Sequence, residues 1–98
     1  MNHEKIGENA RWVVSRDIVE TQVSGETVIL HLETGTYIGL DAVGTQIWGD
    51  VKRGQSLHDI CASICLEYDI DAARAKDDVI CLLKDMVGQR LITPQPAK

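Results

Sequence analysis

The stretch VILHLETGTYIGLDAVGTQIW, Val28 to Trp48, decides the fold. Thr27 to Leu32 is rich in β-branched and apolar residues and reads as a strand. Thr34-Gly35 follows as a tight turn, where glycine supplies the positive φ that such a turn needs. Thr36-Tyr37-Ile38-Gly39 is a second, short strand. Asp41 is then a good N-cap for a helix that starts at Ala42.

Working outward toward the N-terminus, Ile18 to Val23 (IVETQV) alternates, with Ile18, Glu20 and Gln22 on one face and Val19, Thr21 and Val23 on the other. Ser24-Gly25 is a two-residue hairpin signal. The register it implies sets Val19 opposite Leu30 and Thr21 opposite Val28. Three strands are therefore expected in a meander, with the last paired on one side only. The opening MNHEKIGENAR is polar, and Trp12-Val13-Val14 is expected to dock on the body as an irregular strand. The expected organisation is a flexible segment over 1–17, one domain over 18–92 and a tail over 93–98.

Three helices are expected after the strands. The first carries Val43, Ile47 and Val51 at spacing four and ends at Lys52-Arg53-Gly54. The second is capped by Ser56 and places Leu57, Ile60, Cys61, Ile64 and Tyr68 on one face. The third, from Asp71 over about Ala72 to Arg90, carries two neighbouring apolar stripes at about 100° per residue. One holds Ala75, Val79, Leu82 and Met86, the other Ile80, Leu83 and Val87. One stripe must face the core, and the other can line a groove. Leu91-Ile92-Thr93 then runs extended into two prolines. Strand-rich and helix-rich halves are segregated, which is an α+β fold: winged-helix-turn-helix-like, a three-stranded antiparallel sheet followed by three helices.

Composition narrows the function. The 98 residues make one domain of net charge −5, and no Phe is present. Nucleic-acid binding needs clustered Lys and Arg, and the third helix shows aspartates and apolar residues where a recognition helix would show base-reading side chains. The acidic balance also disfavours an anionic membrane surface. No segment approaches the roughly 20 apolar residues of a membrane span, and no signal peptide is visible. With three cysteines, an odd count, the expectation is a cytoplasmic protein with reduced thiols.

Chemistry-bearing constellations are weak. Cys61 and Cys65 fall at i, i+4 on a helix, but no CxxC pair or spaced His completes a metal site. No nucleophile motif, phosphate-cradling loop or H-E-x-x-H occurs. His58 beside Asp59 reads as a solvated helix start. The chain is expected to be no enzyme and to need no cofactor or metal. What remains is the short strand. Native edges are guarded by Lys, Pro or bulges unless the edge has a use, and Thr36 to Gly39 has neither Lys nor Pro. Such an edge can take an extended peptide as an added strand. The competing reading is that Tyr37 and Ile38 pack internally and the N-terminal segment covers the edge.

The run L-x-T-G-x-Y-x-G-L-D-x-x-G-x-x-I-W, Leu32 to Trp48, resembles the PqqD-like family. So do Gly54, Ser56-Leu57, Ile60, Tyr68 and the stretch from Val79 to the Gly88-x-x-Leu91 step. The resemblance covers about 18–92 and is closest to the stand-alone lasso-peptide branch. PQQ-synthesis members lack the Gly39 and Trp48 features together. The resemblance implies a recognition element without chemistry of its own, which holds the leader of a ribosomally made precursor peptide against the third strand and third helix. It then delivers the leader to a maturation enzyme, in this branch a leader peptidase. On this chain the implied peptide-binding residues are Thr36, Tyr37, Ile38 and Gly39 on the strand, with Lys76, Val79, Ile80, Leu83, Lys84 and Val87 on the helix. The alternatives are a partner of a radical-SAM or other peptide-modifying enzyme, and a winged-helix DNA-binding regulator.

Overall fold

The computed structural model describes residues 6–95. Its central sheet has the order β2-β3-β4, formed by Ile18–Val23, Glu26–His31 and Tyr37–Leu40; β1 (Trp12–Val14) precedes it. Helices α1 (Ala42–Lys52), α2 (Leu57–Tyr68) and α3 (Ala72–Gly88) follow, and β5 (Ile92–Pro94) ends the described chain. The α+β order expected from the sequence is thus observed, with β4 displaced by one residue from the expected strand.

Local chemistry explains most of the boundaries. Ser24 and Gly25 both adopt positive φ, 55° and 80°, the twist a two-residue hairpin needs. Val19 pairs with Leu30 and Thr21 with Val28, the register expected. Each helix begins on the expected cap, whose side chain accepts a backbone N–H three residues on. The distances are 2.9 Å for Asp41 to Gly44, 3.2 Å for Ser56 to Asp59 and 2.8 Å for Asp71 to Arg74.

The inner sheet face carries Thr27, Ile29, His31 and Leu40 into the core. The apolar pairs that matched register, Val19 with Leu30 above all, lie on the opposite face and are exposed. Helix α1 crosses the inner face from β4 toward β2. Near its start Thr45 and Thr27 hydroxyls meet at 2.9 Å. At its far end the Trp48 indole N–H donates to Glu20 at 3.0 Å and Lys52 reaches the same carboxylate at 2.9 Å. On α3 the core takes residues from both apolar stripes: Ala75, Val79 and Met86 from one and Leu83 from the other. Leu82 is half-buried on one flank, and Ile80 and Val87 are half-buried on the other.

One pairing goes beyond the sequence reading. Trp12–Val14, expected to dock on the body as an irregular strand within the segment 1–17, pairs antiparallel with Ile92–Pro94, so that Trp12 faces Pro94 and Val14 faces Ile92. Trp12 and Ile92 are core residues, and the folded body therefore extends beyond 18–92 at both ends. The pairing joins residues about eighty positions apart, which no local signal announces. The N-terminal residues 1–5 and the end of the tail, 96–98, lie outside the described residues.

Candidate functional site

The outer edge of β4 is free of pairing among the described residues, because β4 is bonded to β3 alone and the N-terminal strand pairs with β5 instead. The His31 N–H donates to the Thr36 carbonyl at 2.8 Å, which sets the phase of the ladder. In an antiparallel pair, residues that exchange both hydrogen bonds alternate with residues that point both groups away. Counting from Thr36, Ile38 and Leu40 turn their backbone groups toward β3, and Tyr37 and Gly39 turn theirs outward.

The side chains suit an approaching backbone. Tyr37 is 72% exposed and Thr36 is exposed, while Ile38 is half-buried on the inner face. No heavy atom lies within 4 Å of where a Gly39 Cβ would sit. Gly39 stands opposite Val28 and Tyr37 opposite Leu30, so the edge continues into an exposed apolar outer face.

The helix residues expected at the site divide between the core and the helix surface. Val79 and Leu83 are fully buried core residues. Lys76 donates to Glu8 at 3.1 Å, and Glu8 also meets the His58 ring at 3.2 Å. The Leu57 and His58 N–H groups donate to the Ala10 and Glu8 carbonyls at 2.8 and 2.9 Å. These contacts tie the N-terminal segment across the start of α2 and the Lys76 flank of α3. Farther along that flank, Leu83, Lys84, Val87 and Gly88 line a cavity of about 610 Å³ together with Ile6, Ala10, Arg11, Trp12 and Pro94. None of the expected strand residues lines this cavity. The sequence reading docked Trp12-Val13-Val14 on the body and left Leu91-Ile92-Thr93 extended, but did not join them into the wall of a cavity.

Electrostatics mark the same flank. Hydrogen bonds from Lys76 and then His58 hold the Glu8 carboxyl below its ordinary range. Burial, with Glu8 and Cys65 nearby, pushes the Cys61 thiol up. Its proton therefore stays on at neutral pH, and the residue is a poor nucleophile there. Among the described residues no group of three His, Cys, Asp or Glu side chains assembles to hold a metal. No helix among them is long and apolar enough to cross a membrane.

A small α+β domain with an open, uncharged sheet edge next to a helix bundle is the class these features define. The family model for coenzyme PQQ synthesis protein D (PqqD) matches residues 26–92, and the chain belongs to that family. A structure of TbiB1 in complex with the TbiA(beta) leader peptide is similar at 36% identity and TM-score 0.78, covering 82% of this chain and 93% of that one. A lasso peptide synthetase B1 complexed with the leader peptide has the same fold at TM-score 0.76, with 21% identity over 89% of this chain and 100% of that one. No curated protein matches the chain.

Proposed function

We propose that the protein binds the leader segment of a ribosomally synthesised precursor peptide by strand addition along β4. It then delivers that leader to a maturation enzyme, a lasso-type leader peptidase. The outward N–H and C=O groups of Tyr37 and Gly39, on an edge with no charged residue, carry the proposal. Backbone pairing gives affinity that tolerates sequence, and pockets for alternate side chains give selectivity. The similarity to TbiB1, solved with a leader peptide bound, supports the same reading. The protein acts as a cytoplasmic recognition element rather than an enzyme, and neither nucleic acid nor membrane is its partner. Its α3 surface fits poorly against DNA, since Asp77, Asp78 and Asp85 are exposed there.

The helix side of the groove is the flank of α3 that bears Leu82. Helix α1 leaves β4 and ends at the β2 side of the sheet, and Arg11 is bonded there to the Gly54 carbonyl. The N-terminal segment meets the flank of α3 that bears Lys76 and Val87. Leu82 follows Ile80 by two positions, roughly 200° around the helix. Apolar side chains of the guest strand reach Leu82 and Ile38, while Val79 and Leu83 support the helix from within.

Fluorescence anisotropy with a labelled TbiA(beta) leader peptide tests the proposal. Saturable binding is expected, nearly unchanged by a roughly tenfold rise in salt, and weakened by Leu82→Asp but not by Lys84→Glu. No binding, or a steep loss with salt, overturns it.

A further inference from the structure

Delivery requires a contact with the receiving enzyme that leaves the leader's edge free. We infer that the cavity between the N-terminal segment, the second half of α3 and β5 is a second binding site, which takes an acidic, apolar segment of the maturation enzyme. The partner's identity rests on the proposed delivery role; the site itself rests on its own geometry.

The volume of about 610 Å³ lies within the roughly 300–1,000 Å³ of ordinary ligand pockets. Its walls are apolar, built from Ile6, Ala10, Trp12, Leu83, Val87 and Pro94. Both of its glycines are open: a Cβ at Gly7 or Gly88 would meet nothing within 4 Å, so none of the described residues plugs the mouth there.

Charge selects the occupant. Two cations, Arg11 and Lys84, stand in the lining, with no carboxylate among the lining residues. Among the described residues the Arg11 side chain is bonded only to the neutral Gly54 carbonyl, and Lys84 has no ion-pair partner. The nearby carboxylate, Glu8, is taken up by Lys76 and His58. In a chain of net charge −5, this is an apolar hollow with a positive lip. It fits Leu- or Ile-type side chains flanked by Asp or Glu. A second copy of the chain does offer exposed Leu66 beside Glu67. That contact would join two different surfaces, however, and head-to-tail joints of this kind build open chains rather than a closed dimer.

The test is an NMR titration of the full chain with two synthetic peptides, one alternating Leu with Asp and one alternating Leu with Lys, before and after the TbiA(beta) leader is added. The Leu–Asp peptide is expected to shift the Trp12 indole N–H and the Gly7 and Gly88 amides while leaving Tyr37 and Gly39 in place. The Leu–Lys peptide is expected to shift none of them. Arg11→Glu should reverse that preference and leave leader binding unchanged, and Gly88→Leu, which fills the mouth, should abolish both responses. If the cavity responds but no leader binds, the site stands and the leader reading falls. The inference is overturned by equal response to both peptides, by shifts at β4 alone, or by concentration-dependent self-association that Leu66→Asp removes.

Discussion

The sheet has two outer edges, and they are built differently. On β2 the outward backbone groups belong to Ile18, Glu20 and Gln22, since the Leu32 N–H to Asp17 carbonyl bond of 2.8 Å sets the opposite phase there. That edge is occupied by charge: the Glu20 carboxylate is held between Trp48 and Lys52, and Lys52 lies 5.9 Å over the Trp48 ring. On β4 the outward groups belong to Tyr37 and Gly39, and no charged side chain is present from Thr36 to Leu40. One sheet therefore carries a guarded edge and an unguarded one, and a guarded edge is what a strand needs to avoid unwanted pairing. The contrast distinguishes the proposed binding edge better than the presence of a free edge alone, because both edges are free of β-pairing among the described residues.

Proline substitution separates the edges most sharply. Gly39→Pro removes an outward N–H and leaves the β3–β4 ladder intact, as edge strands allow. Leaving the guest's carbonyl unpaired costs roughly 1–3 kcal/mol, so leader affinity should fall by about 5- to 150-fold in anisotropy titrations. Gln22→Pro makes the same change on β2 and should leave affinity unaltered. Loss of binding in both variants, or in neither, would break the comparison.

Moving the guard gives a smaller effect. Tyr37→Lys places a cation on the open edge and removes the aromatic partner of Leu30. Cross-strand pairs of this kind contribute roughly 0.2–1 kcal/mol, and calorimetry should show affinity reduced by a few-fold with the fold unchanged.

The fold was largely legible where its causes are local. The caps at Asp41, Ser56 and Asp71 and the Ser24-Gly25 hairpin could be read because each rests on a few adjacent residues. Register was legible too, yet Val19–Leu30 pairing does not say which face meets the helices. That face is chosen by α1, through Thr45 on Thr27 and Trp48 on Glu20. The β1–β5 pairing was not legible, since its two strands are separated by the whole domain. The site divided along the same line. The β4 residues were readable as an unguarded strand, whereas helical periodicity gives the angle between Leu82 and Ile80 without naming the neighbour on either flank. The N-terminal segment, tied down by Glu8, decides which flank is covered.

Cysteine reactivity sharpens the picture of that covered flank. With its thiol pushed up by burial, Cys61 should alkylate more slowly than exposed Cys81 in a mass-spectrometric time course at mildly alkaline pH. Equal rates would contradict the burial of Cys61.

The smallest effect is on acidification. Because Lys76 and His58 lower the Glu8 pKa in the folded chain, the clamp's contribution is present above about pH 4.5 and is lost as pH falls through the folded value. The N-terminal segment should therefore loosen below about pH 4.5, visible as altered Trp12 and Gly7 resonances. The Tyr37 and Gly39 amides, which have no part in that clamp, should not follow the same transition.

Amide hydrogen exchange, measured with and without the TbiA(beta) leader, tests strand addition at β4 most directly. The Tyr37 and Gly39 amides should exchange freely in the unliganded chain and become protected when leader is added, while Ile38 and Leu40 are protected throughout. Protection appearing instead at Ile18, Glu20 and Gln22, or no change on either edge despite bound leader, would contradict the account.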